Sequence, residues 1–134
     1  MTTGIEDMLA EARSRLDRLE PRDAAAAVAG GGVLLDIRAE SQRESGGVVP
    51  EAVFVARNVL EWRCDPNSQW RDERVSDPAR TVIVMCDEGY QSSLAAAMLQ
   101  DLGLTHATDL VGGFQAWRAA GLPVRPLYRV GRSA

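Results

Sequence analysis

Short apolar, β-branched runs alternate with helix-forming stretches along the whole chain, and this alternation limits its fold more than any other feature. Residues 33–38, 53–55, 81–85 and 106–111 read as strands, each followed by polar or glycine-containing turns. Between and around them, residues 21–29, 40–45, 57–63, 92–102 and 114–120 read as helices or helical turns, closed by Gly30, Gly46, Gly103 and Gly121 where the spacing places a helix end. Pro21 suits a first helical position, with Asp23 as a favourable acid in the first turn. Residues 69–80 are polar and are expected to form a loop with a helical piece, and an arginine-rich tail follows Pro123. Strands alternating with helices dictate an α/β fold with a parallel sheet and right-handed crossovers.

Before this pattern begins, Ile5, Met8, Leu9, Ala12, Leu16 and Leu19 recur at helical spacing among Glu, Asp and Arg. They predict an amphipathic helix of about four turns ending before Pro21. It is expected to pack on the domain, with a dimerisation helix as the alternative. Residues 1–20 are thus an N-terminal helix and residues 21–134 a single domain, as 134 residues allow.

The composition excludes several chemistries. All 15 basic residues are arginine, so no lysine is present to form a Schiff base. A single histidine, His106, excludes a multi-histidine metal site. Cys64 and Cys86 form no C-x-x-C pair, which argues against structural zinc and a thioredoxin-type motif and for two free thiols. The net charge of −4 gives no nucleic-acid footprint. Residues 24–35, the longest apolar run, contain three glycines and are too short to span a bilayer. The N-terminus lacks the basic and apolar regions of a signal peptide, so a cytoplasmic location is expected. Neither cofactor nor metal is expected.

The chemistry concentrates at Cys86. It ends the apolar run 82–85 and is followed by Asp87, Glu88, Gly89, Tyr90, Gln91 and Ser92, where an alanine-rich helix opens. In parallel α/β sheets, ligands bind where a strand's carboxyl end meets the next helix's amino end. Unpaired backbone N–H groups there favour a thiolate and bound anions. Gly89 lets the loop curl, and Ser92 and Ser93 are placed to cap the helix or donate to an anion. The alternative for Cys86 is a buried cysteine that merely ends a strand.

Several segments, in order, resemble the rhodanese family of sulfurtransferase domains. Leu34-Leu35-Asp36-Ile37-Arg38 with Glu40 resembles its first signature strand, and residues 47–52 occupy the place of its Gly-His-Ile-Pro-Gly-Ala motif without the histidine and second glycine. Cys86 to Ser92 resembles the active-site loop, and residues 111–117 and 120–124 resemble the closing helix. The resemblance covers about residues 20–125. It implies a three-layer fold around a mostly parallel five-stranded sheet. It also implies a Cys86 thiolate that takes a sulfane sulfur from thiosulfate or a persulfide and passes it to cyanide or a thiol. The implied partners are thus a small anionic donor and a thiophilic acceptor, including a possible protein acceptor, with no nucleic acid and no membrane.

Around Cys86, residues Asp87 to Ser92 are expected to supply the anion cradle. The carboxylates of Asp87 and Glu88 oppose a dianionic donor, so they turn to solvent or the donor is not thiosulfate. Arg57, or Arg63, can offset them if it faces the site. Asp36 and Arg38 are read as supporting the loop through hydrogen bonds, with a surface ion pair as the alternative. Phe114 and Trp117 are expected in the core; Trp62 and Trp70 are expected to pack there too rather than wall a pocket. Topology places His106 at the opposite sheet edge from Cys86, which argues against a Cys–His hydrolase, and Cys64 is a weak candidate for a resolving thiol. Two other functions compete: a non-catalytic binding or sulfur-sensing module, and a cysteine phosphatase or arsenate reductase. The latter need an arginine six positions after the cysteine, where this chain has Ser92.

Overall fold

The computed structural model describes residues 3–128. Four parallel strands, β1 (Val33–Asp36), β2 (Val53–Phe54), β3 (Val82–Met85) and β4 (Ala107–Asp109), lie in the order β2-β1-β3-β4. Six helices surround them: α1 (Ile5–Ser14), α2 (Pro21–Ala29), α3 (Glu40–Gly46), α4 (Leu60–Cys64), α5 (Gln91–Asp101) and α6 (Gly113–Ala119). A 3₁₀ turn, Arg57–Val59, leads into α4. Among the described residues no helix is long and apolar enough to cross a membrane.

The period-2 geometry of the strands divides the core in two. Val33, Leu35, Val82 and Val84 face Leu60, Ala95, Ala96 and Leu99 from α4 and α5. Leu34, Ile83 and Met85 face the other way, onto Ala24 of α2 and Phe114 and Trp117 of α6. Both faces of β1 and β3 are therefore buried, which is why residues 33–35 and 82–85 read as unbroken apolar runs rather than alternating ones.

The sheet has four strands, not five, and proline chemistry explains the difference. Leu19 starts a fifth strand beside β4: its N–H donates to Asp109 O at 3.0 Å and its carbonyl accepts from Val111 N at 2.9 Å. The next bond along a parallel ladder calls for an N–H at residue 21, and Pro21 has none. Pairing stops at one bridge and α2 begins.

That bridge also shortens the first helix. α1 ends at Ser14 rather than continuing to Leu19. Leu9 and Ala12 are buried, and α1 packs on α5, whereas Ile5 and Met8 are exposed. Residues 15–19 leave the helix to reach the sheet edge. Two backbone hydrogen bonds and the partial burial of Leu19 against the core that holds Leu110 offset the lost turn. Residues 69–80 contain turns but no helix, and Trp62 and Trp70 are exposed rather than packed, lining a cleft of about 220 Å³ with Val59 and Arg63. Of the expected arginine-rich tail, Arg125 pairs with Val48 in an antiparallel bridge; Arg129 and Arg132 lie outside the described residues.

Candidate active site

β3 delivers Cys86 to the carboxyl edge of the sheet, and the chain then curls around the sulfur. Sγ accepts the N–H of Gly89 at 3.1 Å and the N–H of Ser92 at 3.3 Å. These amides converge because the loop's carbonyls are held elsewhere. Cys86 O accepts from Phe114 N at 2.9 Å and Asp87 O from Gln115 N at 3.1 Å, so the first turn of α6 grips the loop. Gly89 O accepts from Arg13 Nη2 at 2.8 Å and Arg18 Nη2 at 3.0 Å. With its carbonyls turned outward, the loop directs amide dipoles at the thiol, where negative charge is stabilised without a metal.

Two glycines permit this close packing. Gly89 has φ +90°, and a Cβ there would lie 2.7 Å from Gly112 N. Gly113 has φ +60°, and its Cβ would lie 2.5 Å from Cys86 O. Any side chain at either position separates α6 from the loop.

Beside Cys86 lies a cavity of about 300 Å³ that includes Arg38, Arg57, Asp87, Glu88, Tyr90 and Gln91 in its lining. Arg57 enters it from the 3₁₀ turn after β2, with Nε donating to Gln91 Oε1 at 3.2 Å and Nη1 to Glu61 at 3.2 Å. Asp87 is turned toward α6, where Gln115 Nε2 donates to its two oxygens at 3.2 and 3.3 Å. Glu88 and Tyr90 are exposed at the rim. A wider cleft, about 670 Å³ between Gly31 and Arg80, lies at the amino ends of the strands and contains no thiol.

Asp36 and Arg38 form a buried pair rather than a surface one, each at most 2 % exposed. Arg38 reaches Asp36 through Nη2 at 2.9 Å and Nε at 3.1 Å, donates to Gly47 O at 2.8 Å, and stacks 3.9 Å over the Phe114 ring. Phe114 in turn carries the N–H that holds Cys86 O. The pair therefore supports the loop through α6 and has little charge left for a ligand.

Other expected residues lie elsewhere. The hydroxyls of Ser92 and Ser93 face away from the cavity and donate to Asp109 Oδ2 at 2.8 and 2.7 Å; Ser92 meets the sulfur only through its N–H. Arg63 is absent from the cavity lining and donates to Trp70 O. His106 is exposed just before β4, at the far edge of the sheet. Cys64 is fully buried, and burial, followed by the nearby Asp72 and Glu61 carboxylates, pushes its thiol up to about 12, which makes it a poor nucleophile near neutral pH.

Three residues that the sequence reading passed over hold the loop from behind. Asp109 is fully buried at the end of β4 and accepts from Ser92, Ser93 and Arg18, whose Nε lies 2.9 Å away. Arg13 Nε donates to Ser93 Oγ at 3.1 Å. A carboxylate inside an apolar strand was the available signal, because a buried charge needs partners.

Residues 20–120 match the rhodanese-like domain family. The chain belongs to it. Among curated relatives of this rhodanese-like chain, the thiosulfate sulfurtransferase GlpE of Actinobacillus succinogenes is 41 % identical over 49 residues, 37 % of this chain and 44 % of that protein. A sulfurtransferase of Allochromatium vinosum is 28 % identical over 92 residues, covering 69 % of this chain and 77 % of the other. The chain spans 44 % or less of the first curated relatives it matches. A solved Rhodopseudomonas palustris protein of unknown function, described as a possible tyrosine phosphatase, superposes with a TM-score of 0.84 at 35 % identity, over 93 % of this chain and 96 % of that one. The polysulfide-sulfur transferase of Wolinella succinogenes shares the fold with a TM-score of 0.73 at 22 % identity, over 94 % and 88 % of the two chains.

Proposed function

We propose that this rhodanese-like domain is a sulfurtransferase working through a persulfide on Cys86. The observation that carries the reading is the pair of amides, Gly89 N and Ser92 N, aimed at a thiol that opens onto a cavity. The family and the sulfurtransferase names among its relatives support it.

In the proposed reaction the Cys86 thiolate attacks the sulfane sulfur of the donor. A new S–S bond forms to Sγ while the donor's own S–S bond breaks, and its electron pair leaves with sulfite or a thiolate. The enzyme persulfide carries its negative charge on the outer sulfur, within the field of the loop amides. An acceptor such as cyanide or a thiol then attacks that outer sulfur, and the electron pair of the breaking bond returns to Sγ. No redox partner is required.

The rim selects the donor. Arg57 is shared with Glu61, Arg38 is spent on Asp36, and Glu88 has no ion-pair partner among the described residues. The persulfide group carries one negative charge at the reacting end, whereas thiosulfate concentrates two on a small ion, so a persulfide meets less repulsion there and the domain favours persulfide donors. The acceptor is a small thiol, cyanide or a cysteine on another protein, and the setting is the cytoplasm.

Phosphatase chemistry is disfavoured by the same geometry. A tetrahedral dianion needs a guanidinium clamp within the loop. Ser92 occupies the position that would supply it, and Arg13 and Arg18 bind the outside of the loop instead. The test is thiocyanate formation from cyanide with thiosulfate or glutathione persulfide as donor, beside hydrolysis of p-nitrophenyl phosphate. The proposal expects Cys86-dependent thiocyanate and no phosphate release. Phosphate release without thiocyanate contradicts it.

A further inference from the structure

Gly89 O is gripped by two guanidinium groups that come from outside the rhodanese-like match, which begins at residue 20. Arg13 sits in the last turn of α1 and Arg18 on the extended segment that follows. Each is tied down by a second contact. Arg13 Nε donates to Ser93 Oγ at 3.1 Å, and its guanidinium lies 5.5 Å from the centre of the Tyr90 ring. Arg18 chelates the buried Asp109 carboxylate through Nε at 2.9 Å and Nη2 at 3.3 Å. Asp109 in turn holds both serine hydroxyls of the first turn of α5.

A trans peptide is planar, and its C=O and N–H point in opposite directions. Fixing Gly89 O toward Arg13 and Arg18 therefore turns the Tyr90 N–H to the opposite side of the peptide, away from both guanidinium groups, and Tyr90 is one of the residues that line the sulfur cavity. Tyr90 N has no acceptor of its own among the described residues. Two cations on the carbonyl also polarise this peptide, making its N–H a stronger donor.

We propose that Arg13 and Arg18 are positioning residues that clamp the Gly89–Tyr90 peptide, so that the N-terminal segment sets the reactivity of Cys86. The segment is then part of the site's machinery as well as a packed helix. This rests on the proposed sulfur-transfer reading for its substrate, but the clamp acts on the thiolate before any donor arrives. Arg13, which has no carboxylate partner among the described residues, also contributes positive charge behind a loop whose rim carries Glu88.

Alkylation of Cys86 by iodoacetamide in the full chain, read by peptide mass mapping to separate it from Cys64, tests the clamp without a sulfur donor. Arg13→Ala is the main variant, because Arg13 holds no buried carboxylate and its removal leaves the core intact. We expect alkylation near neutral pH to slow by about tenfold, the size of one lost charge-assisted hydrogen bond, with the rate–pH profile displaced to higher pH. Arg13→Lys, which keeps a cationic donor, is expected to recover to within about threefold of wild type. Arg18→Ala combined with Asp109→Asn removes the second clamp without stranding a buried charge and should add to the loss. Sulfur uptake from glutathione persulfide should fall in parallel. If Arg13→Ala is folded yet alkylates at the wild-type rate with an unmoved pH profile, the clamp is overturned, even if its melting temperature falls. If alkylation responds as stated but wild type takes up no sulfur, the clamp stands and the sulfurtransferase reading falls.

Discussion

Asp109 accepts the hydroxyl of Ser92 at 2.8 Å, while the N–H of that same serine points at Cys86 Sγ from 3.3 Å. One residue thus joins the end of β4 to the nucleophile. The carboxylate is fully buried and is balanced by Arg18 and two hydroxyls. Removing it strands a guanidinium and two donors together.

Asp109→Ala is therefore expected to cost about 3 kcal/mol or more, in line with breaking a buried ion pair from one side. Urea unfolding followed by circular dichroism measures this. Asp109→Asn, which can still accept hydrogen bonds, should be the milder of the two.

Gly89→Ala places a methyl group 2.7 Å from Gly112 N at φ +90°. The strain amounts to about 1–3 kcal/mol and falls on the loop rather than the core. The protein should remain folded, with sulfur uptake by Cys86 reduced at least about tenfold, because either the loop amide or α6 must move. The ratio of transfer rate to melting temperature across Gly89→Ala and Gly113→Ala distinguishes a loop effect from general destabilisation.

Arg57 and Glu88 control donor charge in this account. Arg57→Gln should lower kcat/KM for thiosulfate by about tenfold and for a persulfide by less, since a dianion loses more from one missing cation. Glu88→Gln should act in the opposite direction, raising thiosulfate use by roughly threefold. Steady-state kinetics with both donors give the two ratios.

The buried Cys64 has a consequence at high pH. Its thiol titrates near the ordinary 9.0 when unfolded and at about 12 when folded. Between these values the unfolded chain has released a proton that the native state keeps, so stability declines as pH rises, by at most about 1.4 kcal/mol per pH unit, and is unaffected well below 9.0. Urea unfolding from pH 8 to 10.5 should show a steeper decline for wild type than for Cys64→Ala. Equal slopes contradict this assignment.

The sequence made the α/β alternation legible because buried parallel strands read as unbroken apolar runs, as residues 33–35 and 82–85 do. The position of Cys86 followed from strand and helix order alone. The length of α1 did not: Leu16 and Leu19 keep helical spacing, but Leu19 pairs at the sheet edge next to β4 and the helix ends before it, a tertiary preference that no local period encodes. The hydroxyls of Ser92 and Ser93 escape a sequence reading for a related reason, although the Ser92 N–H meets the sulfur as expected. At a helix start a hydroxyl caps or binds an anion unless a buried acceptor lies behind it, and Asp109 is 16 residues further on than Ser93. Trp62 and Trp70 show the limit of composition, since nothing local distinguishes an exposed tryptophan from a core one.

The most direct test is the intact mass of the full chain after exposure to glutathione persulfide, and separately to thiosulfate, followed by cyanide. The account predicts one added sulfur on wild type, absent from Cys86→Ala, removed by cyanide, and formed more readily from the persulfide. A folded wild-type protein that gains no sulfur from either donor, or gains it equally in Cys86→Ala, contradicts it.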